Sequence, residues 1–325
     1  MNLFEHPSLP GLDDHLARVE VALRRSVDSD HPMLSDVAGH LIAAGGKRLR
    51  PTLTVMSALA AGAEVSDDVI QGGVSVELVH LGSLYHDDVI DEAPTRRGVA
   101  SVNAQWGNLV AIVAGDFLLA RASEIAASLG TEVSALLART IGRLCEGEVA
   151  ELVYAYDPDR TEESYLVAIA GKTASLMATA CRIGGLTTGA SPQQVDALTA
   201  FGHAFGVTFQ IWDDILDLIG MEKSLGKPAG HDLVEGIYTL PVIRALADTT
   251  IGDELRALLG SRLDMPTRDK ARDMIRSTDA LAASAVEARR FADQAAEALA
   301  PMGDGPIIRS LAGLGHRLVD ALDDI

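Results

Sequence analysis

The chain has 325 residues, 48% of them apolar and only 4% aromatic, and carries 46 acids against 27 lysines and arginines for a net charge of −19. That excess of acid excludes nucleic acid as a partner, since a phosphate backbone needs a basic footprint. Two cysteines, Cys145 and Cys181, are too far apart for a zinc knuckle or a Cys-x-x-Cys redox site, and both read as core thiols of a cytoplasmic, reducing environment.

The first ten residues, MNLFEHPSLP, lack a basic segment followed by an apolar run, so no signal peptide is expected. From there helical periodicity runs to the end without a β-hairpin signal. Helices are expected near 12–28, 34–44, 48–62, 67–92, 103–129, 131–156, 162–185, 192–219, 239–248, 251–262, 266–276, 278–300 and 306–322. Pro94 marks the end of the helix that carries Asp87. The uncharged run from Gly98 to Gly115 holds Asn103, Gln105 and Asn108 and does not read as a membrane span. Thr161 caps one helix, with Glu162 and Glu163 in its positive first turn. Ser191 caps the next, with Pro192 at the first helical position, Gln194 closing a capping box, and Gly220 expected left-handed just past its end. No linker divides the sequence. The expected fold is all-α, one domain over 1–325 with an N-terminal helix within 1–30, and the charged, glycine-bearing stretch 220–235 reads as an active-site loop.

Two acid clusters stand out: Asp87, Asp88 and Asp91, and then Asp213, Asp214 and Asp217. On a helix, positions 87, 88 and 91 lie within a turn of each other, so three carboxylates are expected to converge on one spot in each cluster. A solvated acidic face is the plain alternative. Against it, both clusters fall at helix C-termini, where the dipole disfavours each negative charge by roughly 0.3–1 kcal/mol. Their flanks are also apolar: Leu84 and Tyr85, Ile211 and Trp212. Crowded acids in such a place need a cation, and oxygen-only ligands favour a hard ion, magnesium (Mg2+).

Cations that suit diphosphate are scattered through the same sequence. Lys47, Arg48 and Arg50 sit in the loop Gly45–Pro51, Arg96 and Arg97 follow the first cluster, Lys172 and Thr173 lie in an apolar helix, and Lys227 follows the second cluster. His80 lies two turns before Asp87, Gln210 one turn before Asp214, and Phe209 either lines an apolar tunnel or is plain core.

The stretches GGKRLRP (45–51), LVHLGSLYHDDVIDEAPTRRG (78–98), GKTASL (171–176), FQIWDDILDLIG (209–220), LGKPAGHDL (225–233) and TLP (239–241) together resemble the trans-type (all-E) polyprenyl diphosphate synthases, from about residue 30 onward. The resemblance implies an isoprenoid-synthase fold, a bundle of long antiparallel helices around a deep central cavity, and a homodimer. It implies condensation of isopentenyl diphosphate with an allylic diphosphate: ionisation, alkylation, then proton loss to the departing pyrophosphate. It makes Asp87, Asp88, Asp91, Asp213 and Asp217 ligands of three magnesium ions, with Asp214 in support. It assigns Arg96, Lys172, Gln210 and Lys227 to the allylic substrate, with Thr173 beside them. Lys47, Arg50, His80 and Arg97 fall to isopentenyl diphosphate. The sequence departs from the pattern at Ile237, where the family commonly has lysine; Lys223 is the nearest substitute. Small residues at Gly82 and Ser83, one turn above Asp87, point to a medium-to-long product. A class I terpene cyclase or diphosphate lyase, or a non-catalytic subunit, are the competing readings.

Overall fold

The computed structural model describes residues 11–220 and 229–322. Ten helices build the larger part of it: α1 Leu12–Ser26, α2 Pro32–Ala43, α3 Leu49–Ala60, α4 Asp67–Ile90, α5 Val102–Trp106, α6 Asn108–Ser128, α7 Thr131–Val153, α8 Glu162–Ile169, α9 Ser175–Leu186 and α10 Pro192–Ile219. Shorter helices follow, together with one longer helix, Ala280–Ala298, that packs along α10. The fold is all-α, as the periodicity implies.

The central helices are fixed at their starts by local chemistry. The Ser66 hydroxyl accepts from Val69 N at the head of α4, where Asp67 and Asp68 meet the positive end of the dipole. The Ser191–Gln194 capping box is formed in full at α10, and Thr161 caps α8 by accepting from Ser164 N. Both α4 and α10 are buried over most of their circumference. In α10, Phe201 and Phe205 are wholly buried and stack at 5.8 Å, each contributing about 1.5–3 kcal/mol of burial. The chain therefore carries the aspartates at the C-terminal ends of two deeply buried helices.

Several local features differ from the sequence reading. Gly107 (φ 86°, ψ 159°) breaks the expected helix 103–129 into α5 and α6. Residues 162–186 run as one rod, but Ala170–Ala174 forms a π-type turn in which Ser175 N reaches back to Ala170 O. A two-residue antiparallel ladder, β1 Thr95–Arg96 against β2 Val99–Ala100, follows α4. Arg97 (φ 54°) and Gly98 (φ 77°) make its turn with two left-handed residues, the primed geometry that suits a tight hairpin. Gly220 ends α10 in an extended conformation (φ −63°, ψ 152°), not the expected left-handed one; its N–H still closes on Leu216 O. Cys181 is buried as expected, whereas Cys145 is exposed on α7. Among the described residues one helix, Glu162–Leu186, is long and apolar enough to cross a bilayer, but 67% of its most apolar stretch is buried inside the protein.

Candidate active site

A cavity of about 800 Å³ opens where the C-terminal ends of α4 and α10 meet α7, the π turn and the loop before α3. It brings together Asp87, Asp91, Asp213, Asp214, Lys47, Arg50, His80, Arg96, Arg97, Lys172, Thr173 and Gln210. Two aspartates singled out by the sequence are not on its wall. Lys227 and Lys223 lie outside the described residues.

The first cluster does not present three convergent carboxylates. Asp87 faces the cavity from the last turn of α4, and Asp91 caps that helix. Asp88 instead points into the protein, is 0% exposed, and takes both Nε (2.7 Å) and Nη2 (2.6 Å) of Arg96 on one oxygen. The angular offset explains this: neighbouring helical residues diverge by about 100°, so Asp87 and Asp88 cannot face the same space. Burial pushes Asp87 up to about 7; Lys172 opposes the shift, and Glu148 and Asp91 add to it.

The second cluster is likewise split. Asp213 is exposed to the cavity. Asp214, 4% exposed, has both oxygens in use: Tyr165 Oη donates to one (2.5 Å) and Gln210 Nε2 to the other (2.8 Å). Gln210 Oε1 in turn accepts from Thr173 (2.7 Å), so one chain of hydrogen bonds ties α10 to the π turn. Burial pushes Asp214 up to about 7, against the two hydrogen bonds. Asp217 lies behind the wall at 3% exposure and accepts from Asp232 N at 3.3 Å.

The basic end is built by two strained loops. Arg48 (φ 47°) spans Glu20 (2.9 Å) and Glu77 (3.2 Å) and also donates to Ile42 O and Gly45 O, which fixes the loop before α3. Arg97, carried by the hairpin turn, donates to Leu41 O and Gly45 O. Gly46 (φ 145°) makes room for it: a Cβ there would lie 2.8 Å from the Arg97 guanidinium carbon. Glycine here is what admits the arginine. Burial lowers Arg50 to about 10, with Glu77 opposing and Arg97 adding to the shift. Burial, with Arg50, Arg97, Arg96 and Arg48 around it, holds His80 well below the usual imidazole range, so it is neutral at pH 7. Lys47 is exposed at the rim, 5.7 Å above the Trp212 ring.

Sequence reasoning missed several residues here. Lys172 Nζ bridges Glu148 (2.8 Å) and Glu151 (2.5 Å) of α7, neither of which belongs to a spacing motif. Tyr165, Glu77, His231, Asp232, Glu235 and Arg262 also line the cavity. Ile237 lines it as well, and Arg262, paired with Glu235 at 3.0 Å, brings a positive charge to the same wall.

Gly147 is the joint between α7 and the π turn. A Cβ on it would lie 2.4 Å from Lys172 N and 2.9 Å from Ala168 O, both backbone atoms that cannot swing aside. Gly147→Ala is therefore expected to lower stability by about 1–3 kcal/mol and to displace Lys172. Thermal melts and steady-state kinetics on the same variant check both effects.

Among the described residues no three metal-ligating side chains close on a common point. A hard divalent ion that keeps much of its water needs only one or two carboxylates plus substrate phosphate. Asp87 and Asp91 from α4 and Asp213 from α10 offer oxygen donors of that kind to one cavity.

A polyprenyl synthetase family model matches residues 31–275. The chain belongs to the polyprenyl synthetase family. It is 40% identical over 305 residues to heptaprenyl diphosphate synthase component 2 of Geobacillus stearothermophilus, covering 93% of this chain and 95% of the relative. It is 40% identical over 303 residues to nonaprenyl diphosphate synthase of Mycobacterium tuberculosis (strain ATCC 25618 / H37Rv), covering 92% and 90%. Among solved structures it superposes on a polyprenyl synthase from Caulobacter crescentus CB15, complexed with calcium and isoprenyl diphosphate, with a TM-score of 0.90 at 35% identity over 94% of each chain. The protein is thus a prenyltransferase with the all-α isoprenyl synthase fold.

Proposed function

We propose that this polyprenyl synthetase condenses isopentenyl diphosphate with an allylic diphosphate, giving a medium-to-long all-trans polyprenyl diphosphate. One observation carries the reading. A single cavity is lined by an acidic group with Lys172, at Asp87, Asp91 and Asp213, and by a basic group, Arg50, Arg97, Lys47 and His80, which supports two separate diphosphate positions. A terpene cyclase needs only the first.

Asp87, Asp91 and Asp213 would hold magnesium, whose positive charge would make the allylic diphosphate a better leaving group. Lys172 meets the charge that grows on the departing oxygen. Arg50 and Arg97 hold isopentenyl diphosphate by its phosphates, which leaves its double bond facing the allylic carbon. Neutral His80 donates one N–H beside them without adding charge. Leu84, Leu144, Ile169, Leu176 and Phe209 form the apolar lining that keeps water from the carbocation. The departing pyrophosphate takes the last proton.

The test is direct. Purified protein is incubated with labelled isopentenyl diphosphate, magnesium and allylic primers of several lengths. Extended polyprenyl diphosphates are expected, and turnover stops when the metal is chelated. Products that end at fifteen carbons overturn the chain-length reading, and no condensation overturns the activity.

The protein acts as a homodimer in the cytoplasm on this reading. Leu109 (82% exposed), Ile112 and Val113 share one face of α6, and Val149, Leu152 and Val153 share one face of α7. Two such exposed apolar stripes call for a partner surface. Light scattering on the isolated protein is expected to give twice the chain mass, and Val113→Asp to give the monomer. A chain that is monomeric alone would point instead to a second, different subunit.

A further inference from the structure

We propose that Glu148 and Glu151 are positioning residues that aim the third ammonium N–H of Lys172 at the oxygen leaving the allylic carbon. The inference rests on the proposed condensation and deepens it.

A lysine ammonium has three donors in tetrahedral array. Glu151 accepts one at 2.5 Å, and Glu148 pairs with the same nitrogen at 2.8 Å and draws a second toward it. The two glutamates are one turn apart on α7, so they approach the nitrogen from one side. The third donor is then directed away from α7. Lys172 lies on the cavity wall together with Asp87, Asp91 and Asp213.

The backbone around this group is built for the contact. Gly147, between Glu146 and Glu148, touches Gly171, beside Lys172: a Cβ on Gly171 would lie 2.9 Å from Gly147 Cα and 2.9 Å from Arg143 O. The π turn adds the residue that lets Lys172 and Thr173 both face the cavity, between Ile169 and Leu176. Ser175 Oγ donates to Gly171 O at 2.6 Å inside the distorted turn. π turns recur at functional sites because they cost regular helix bonding.

The pair also settles a competition. Asp87 and Asp91 both feel the Lys172 charge across the cavity. A lysine on a free four-carbon stem would fold onto those carboxylates and take up oxygens that a metal needs. Two glutamates on α7, at 18% and 13% exposure, hold it back from them and keep it charged.

The test is a double-mutant cycle of Glu151→Gln and Lys172→Ala, with Glu148→Gln beside it. Glutamine keeps the volume and one acceptor, so the fold holds, which melting curves check. Glu151→Gln is expected to lower kcat roughly 10- to 100-fold and to raise the allylic KM, while the isopentenyl KM stays within about twofold. In the Lys172→Ala background the same substitution is expected to change nothing further, because its effect runs through the lysine. Equal losses in both backgrounds, or equal rises in both KM values, overturn the proposal. Calorimetry with inorganic pyrophosphate and magnesium reads the same residues without turnover. Binding is expected to weaken in Glu151→Gln and to be unaffected by that change once Lys172 is alanine. If the wild type makes no polyprenyl product, the proposed reaction fails; if pyrophosphate binding ignores Glu151, the positioning role fails.

Discussion

Asp87→Asn is expected to lower kcat by about three orders of magnitude while leaving the fold intact. Its neighbour is expected to behave in the opposite way. Asp87 faces the cavity, and its burial near Glu148 and Asp91 already raises it to about 7. A carboxylate raised in the folded state costs stability above its unfolded value, so neutralising it in metal-free buffer at pH 7 leaves the melting temperature unchanged or higher. Asp88 is buried with no exposure and holds Arg96 through two short contacts. Burial raises Asp88 too, against the pull of Arg96, so Asp88→Asn loses the charge-assisted pair together with part of that burial cost and is expected to cost about 1 kcal/mol of stability. Its effect on kcat is indirect, through the position of Arg96. Kinetics and melts on the two variants separate these outcomes. Full turnover in Asp87→Asn would remove Asp87 from the proposed metal site.

How much of this was legible in the sequence depends on the range of the interaction. Helix starts at Thr161 and Ser191 are set within four residues, and both caps form as read. The aspartate clusters were visible because residue type and short spacing define them. Their division into cavity-facing Asp87, Asp91 and Asp213 and buried Asp88 and Asp217 was not, since spacing places residues on a helix but not the helix against its neighbours. The hairpin at Arg97 escaped because its strands are two residues long and an arginine holds one left-handed position. The Glu148–Lys172–Glu151 bridge escaped for a different reason. It joins residues about twenty apart across a π turn that no hydrophobic period reports. The family resemblance named Lys172 and was silent on the glutamates that hold it.

Product length gives the second large effect, and the cavity lining points to one of two small residues. Gly82 and Ser83 both lie about one turn before Asp87, and the sequence alone does not choose between them. Gly82 faces α6, where a Cβ would meet Gly115 O at 3.1 Å and Leu119 at 3.2 Å. Ser83 and Leu84 line the cavity. A growing chain whose diphosphate sat at Asp87 would run past Ser83 about 5.4 Å further in, roughly one prenyl unit. Ser83→Phe is therefore expected to shift the product distribution to shorter chains, with condensation of the first units preserved. Gly82→Ala, by contrast, presses on the α4–α6 contact and is expected to cost about 1–3 kcal/mol with product length unchanged. Chromatography of the dephosphorylated products, with melts on both variants, distinguishes the two residues. A Ser83→Phe enzyme that makes wild-type chain lengths would show that the growing tail leaves the cavity by a path away from this face of α4.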